Sequence, residues 1–133
     1  MASEPSQFEW AEPLPPNCPP ADANPPNNEQ FYRLVDTMPP KDEDFYSSRK
    51  LHPDWSARQS ECIESACSLF DTFSQCVEQR KFPLLRAKMV AMITLPPESG
   101  FIRKTVSKGH CSWWRAKGFD PIAHCQKAEP TSV

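Results

Sequence analysis

The chain has 133 residues, with sixteen prolines, six cysteines, only three glycines and a formal net charge of −2. That length argues for one domain, and the scarcity of glycine argues against a phosphate cradle built from backbone amides. No run approaches the roughly 20 apolar residues of a membrane helix, so no membrane partner is expected.

The near-neutral total hides an opposition. Residues 1–29 contain Glu4, Glu9, Glu12, Asp22 and Glu29 and no Lys or Arg. Residues 80–117 contain nine basic side chains and one acid, Glu98. Such segregation favours an electrostatic partner, either outside the chain or within it.

Residues 1–28 hold eight of the sixteen prolines, including three Pro-Pro pairs. Proline removes backbone donors and turns its predecessor away from helix. So polar a segment buries little apolar surface, and the composition predicts a flexible acidic arm, partly polyproline II. A single α+β domain is expected over 29–128, with a short tail at 129–133. The N-terminus lacks a basic segment followed by an apolar one, so a cytoplasmic location with mostly reduced cysteines is the expectation.

Within the domain, FYRLV between Gln30 and Asp36 reads as a first strand. Met38 to Lys41 is a loop, and Asp44 to Ser48 reads as a short strand. Asp54 is positioned to cap a helical turn after His52-Pro53. Residues 60–72 read either as a strand at SACSLF or as part of a longer helix. Thr72 and Gln75 form a capping-box pattern, Phe73, Cys76 and Val77 share one face, and Pro83 stops the run. A helix is therefore predicted over about 73–82. Ala87 to Leu95 is the most apolar strand. After the turn at 96–100, Phe101–Ser107 and His110–Arg115 read as a hairpin turning at Lys108-Gly109. The predicted fold is α+β: a small, mostly antiparallel sheet with one main helix.

His110-Cys111 and His124-Cys125 offer zinc-ligand types, but neighbouring strand residues diverge and no Cys-x-x-Cys spacing occurs, so no metal site is assigned. No nucleophile elbow or phosphate-binding loop is present. The basic tract is the stronger signal. Arg103, Lys104, Lys108, His110, Arg115 and Lys117 interleave with Phe101, Trp113 and Trp114. Cations beside aromatic rings bind phosphates and stack bases. Trp113 and Trp114 point to opposite faces of a strand, so one is expected to be exposed. Residues 4–14, with Phe8, Trp10 and three glutamates, form an acidic–aromatic motif suited to a cis contact with this hairpin.

The order of the FYR strand, the serines at Ser47-Ser48, the SLF segment, a helix and a long apolar strand resembles small ADP-ribosyltransferase-like domains over residues 30–95. One branch of that superfamily carries an arginine on its first strand and a serine motif on a later one. The resemblance implies Arg33 on a cofactor phosphate and Ser47 or Ser48 near the ribose of NAD. It further implies an aromatic such as Tyr32, Tyr46 or Trp113 against the nicotinamide. The late glutamate it implies has no counterpart, since Glu98 lies in a proline-rich turn.

Two functions follow as expectations. The first is a non-catalytic binding module that uses the basic hairpin to engage an acidic protein segment or nucleic acid, without a cofactor. The second is an NAD-using ADP-ribosyltransferase-like enzyme or toxin. A structural accessory protein with no separable site is a third.

Overall fold

A computed structural model describes residues 8–53, 60–104 and 109–128. The strands are β1 (Glu29–Val35), β2 (Cys67–Phe70), β3 (Met89–Leu95), β4 (Gly100–Lys104), β5 (His110–Arg115) and β6 (Cys125–Lys127). Short helices α1 (Ser48–Leu51), α2 (Glu61–Glu64) and α3 (Phe73–Glu78) intervene. The strands form one antiparallel sheet in the order β4-β5-β2-β1-β3-β6, so the chain is α+β as its pattern predicts.

The longest ladder joins β1 to β3 along seven residue pairs, Glu29–Leu95 through Val35–Met89. Alternation along these strands sends Phe31, Val35, Ala91, Ile93 and Leu95 to one face, where they meet Leu69, Trp113, Phe45 and Phe119. Thr72 caps α3, its hydroxyl accepting from the Gln75 amide at 3.2 Å. The helical course continues as a 3-10 turn over Gln79–Lys81, then Pro83 opens a second such turn, Pro83–Leu85. The helix predicted over 73–82 is thus present. Between residues 60 and 72 a helix and a strand share the segment. Ser60 caps α2, and the backbone is extended by Cys67.

Two expectations are corrected. Asp44 to Ser48 is not a strand. Asp42–Phe45 form a 3-10 turn in which the Lys41 amide donates to the Asp44 carboxylate at 2.8 Å, and Ser47 caps α1. Local side-chain acceptors outcompete the strand ladder there.

Residues 8–28 are not a detached arm. They run as a strap across the second face of the sheet, bridging Trp10 to Ala116 and Asn24 to Ile102. Phe8, Trp10, Leu14, Cys18 and Ala23 pack on Phe101, Trp114, Ala66 and Ile63. These five residues are spaced so that they meet one aromatic patch.

Four of the six cysteines are free, in keeping with the expectation of mostly reduced thiols, and two are paired. Cys18 is bonded to Cys62, 44 positions away in sequence, while Cys67, Cys76, Cys111 and Cys125 are free. Among the described residues no helix is long and apolar enough to cross a membrane. Asp54 and Trp55 lie outside the described residues, as do the tail from 129 and the start of the acidic motif at residues 4–7.

Candidate functional site

The basic hairpin comes together as a hairpin, but its aromatic face is closed. Trp113 and Trp114 do point to opposite sides, and both are 0% exposed. Trp113 sits in the main core, its indole N–H donating to the Ser99 carbonyl at 3.2 Å. Trp114 lies under the strap and donates to the Cys62 carbonyl at 2.9 Å. The expectation of an exposed tryptophan fails because strap and α2 cover the face that the hairpin alone would leave open. Phe101 is buried by the same cover, with Phe8 at 5.4 Å and Trp10 at 6.0 Å between ring centroids.

The cations of the hairpin also face the chain's own acids. Arg103 pairs with Asp22 at 3.2 Å, Arg115 with Asp42, and Lys117 approaches Glu9 at 4.0 Å. The Ala11 amide donates to the Arg115 carbonyl and the Lys117 amide to the Glu9 carbonyl, extending the β5 edge with a strap segment. Lys104 is exposed at the end of β4. Lys108 lies outside the described residues. His110 lies at the opposite end of β5 from Arg115, beside the register partner of Lys104.

The open site is elsewhere. β1 and β2 pair only at Tyr32 and Phe70. Beyond that pair the Arg33 guanidinium donates to the Ser68 carbonyl at 2.7 Å and to the Asp44 carbonyl, where ladder bonds would otherwise continue. A cleft of about 440 Å³ is lined from β1 by Arg33 and Leu34, from β2 by Ser68 and Phe70, and from β5 by His110. Ser48, Leu51 and His52 of the α1 segment form another wall, with Leu85 and Lys88 beyond.

Four of its lining side chains are cations or imidazoles, Arg33, His52, Lys88 and His110, and none is a carboxylate. Lys88 is paired with Asp36 at 2.7 Å. The His110 Nε2 lies 3.0 Å from the Ser68 hydroxyl, and its ring packs edge-on to Phe70 at 5.7 Å. Burial disfavours the charged imidazole and lowers its pKa below 6.5. His110 is therefore mostly neutral at pH 7.

The serines separate. Ser48 lines this cleft, together with Arg33. Ser47 does not. It is buried, its amide and hydroxyl donating to the Glu12 carboxylate at 2.9 and 2.5 Å, while its hydroxyl accepts from the Lys50 amide. The strand serine beside Arg33 is Ser68, which sequence reasoning missed along with His52, Phe70 and Lys88. Only alternation along SLF, which sends Ser68 and Phe70 to one side, pointed to it.

Neither the buried Cys111 nor the half-buried Cys125 has a thiol tuned for nucleophilic attack. Desolvation pushes Cys111 up to about 12 and Cys125 up to about 11. Among the described residues no cluster of three His, Cys, Asp or Glu is placed to hold a metal ion. Comparison with protein families, with curated proteins and with solved structures found no match to this chain.

Proposed function

We propose that the chain is a small binding module whose working surface is the β1–β2 cleft rather than the basic hairpin, and that its ligand is an anion of the nucleotide class. The observation that carries this reading is the lining of the cleft: Arg33, His52, Lys88 and His110 beside Phe70, Leu34 and Leu85, with no carboxylate among them. Cations and imidazoles receive a phosphate, the ring and leucines receive a flat base, and about 440 Å³ lies in the range of small-ligand pockets. The hairpin, which the charge pattern favours, is already engaged by the strap through Glu9 and Asp22.

The NAD-using ADP-ribosyltransferase-like reading is the second proposal. It is favoured by Arg33 of the first strand sharing one cleft with Ser48 and with the strand serine Ser68. It needs a carboxylate near the ribose, which the lining does not supply, so binding without turnover is the simpler reading.

Calorimetric titration of the full chain with AMP, NAD, an acidic peptide and single-stranded DNA tests both. AMP binding that is lost in Lys88→Glu and kept in Lys117→Glu supports the cleft. Binding of the peptide or DNA alone, lost in Lys117→Glu, returns the function to the hairpin. Nicotinamide release from NAD, absent in Ser68→Ala, would establish the enzyme reading.

A further inference from the structure

The strap does more than cover an aromatic patch, because its fixings converge behind one wall of the cleft. Glu12 accepts from both the amide and the hydroxyl of Ser47, the N-cap of α1. One residue on, the Pro13 carbonyl accepts from Arg49 of α1. Arg49 also pairs with Glu61 of α2 at 3.3 Å. The next residue of α2 is Cys62, and its partner in the disulfide is Cys18 of the strap. Strap, α1 and α2 thus close a ring of contacts, and the disulfide is its covalent link.

A helix of four residues has no stability of its own. The α1 segment therefore depends on this ring, and Ser48, Leu51 and His52 reach the cleft from it. The disulfide is within reach of solvent: Cys18 and Cys62 are half-buried, as is the free Cys125, whereas Cys67, Cys76 and Cys111 are buried.

We infer that the Cys18–Cys62 disulfide is a redox latch on the cleft. Closed, it holds Glu12 and Pro13 against α1 and keeps the wall formed by Ser48, Leu51 and His52 in place. A dithiol reductant opens it. Two electrons and two protons pass to the protein, the S–S bond breaks, Cys18 and Cys62 become thiols, and the reductant becomes a disulfide. The strap then loses its covalent anchor, α1 loosens and ligand affinity falls. The effect on the ligand rests on the cleft reading above, and the effect on α1 does not.

Hydrogen exchange of the full chain, oxidised and after reduction, tests the latch, with AMP affinity measured alongside. Reduction should speed exchange at the Leu51 and His52 amides on the order of tenfold, leaving Phe31 and Ile93 in the β1–β3 ladder unchanged. Affinity for AMP should fall by a similar factor, on the order of tenfold. Glu12→Gln in the oxidised protein should speed the same α1 amides, which keeps the test independent of any cysteine variant. Faster α1 exchange with no AMP binding in either state upholds the latch and removes the cleft reading. Unchanged α1 exchange overturns the latch, and so does an equal rise throughout the β1–β3 ladder, which would make the disulfide a global staple.

Discussion

The two basic regions of this molecule differ in what answers their charge. At the β4–β5 end, Arg103, Arg115 and Lys117 each face a carboxylate of the same chain, and the rings beside them are sealed by Phe8 and Trp10. At the β1–β2 opening, Arg33 holds together two diverging strands through backbone carbonyls, Lys88 pairs with Asp36, and no carboxylate lines the cleft that these side chains share with His52 and His110. The first region is richer in charge along the sequence. The second has the open volume. Charge density marks where an anion would be attracted, and the fold decides whether the chain itself already supplies one.

The sealed face should be the more costly to disturb. Trp114→Ala removes a fully buried ring and its hydrogen bond to the Cys62 carbonyl, so a loss of about 3–5 kcal/mol is expected in urea denaturation. A loss below about 1 kcal/mol would show that the strap does not seal this face. Glu12→Ala removes two hydrogen bonds from the N-cap of α1, and a loss of about 1–2 kcal/mol is expected. The same titration reads it, and no change would detach strap from α1.

On the open side the effect is one of pH. His110 is held neutral by burial, so its folded pKa lies below its unfolded value of 6.5. The unfolded chain then binds more protons as pH falls through 6.5, and stability present above that pH is progressively lost below it. His110→Gln should flatten this part of the pH–stability curve. An unaltered slope would assign it to other groups. The smallest effect belongs to the exposed pair at the hairpin rim. Lys117 and Glu9 stand 4.0 Å apart with both side chains largely in water, so Lys117→Ala should change stability by no more than about 0.5 kcal/mol. A larger loss would make the ion pair, rather than aromatic burial, the fastening of the strap.

What was legible in the sequence was local. The β-branched and aromatic content of FYRLV and the apolarity of the run at 87–95 located β1 and β3, and the Thr72–Gln75 pattern located the start of α3. What was not legible depends on distance along the chain. Trp10 and Ala116 meet across more than a hundred residues, and Cys18 meets Cys62 across 44, so a proline-rich composition read alone describes a tail. The same limit hid the cleft. Ser68 and His110 are ordinary strand residues until β5 is laid beside β2, and Arg33 becomes a strut only because β1 and β2 part after one pair. Serines at 47 and 48 drew notice as neighbours, yet helix geometry sends one to Glu12 and the other to the cleft.

The measurement that bears most directly on the central claim is an amide chemical-shift titration of the oxidised chain with AMP. The account predicts saturable shifts centred on Leu34, Ser48, Ser68 and Phe70, with Arg103 and Lys117 unmoved. Shifts centred on Arg103, Arg115 and Lys117, with the cleft silent, would contradict it.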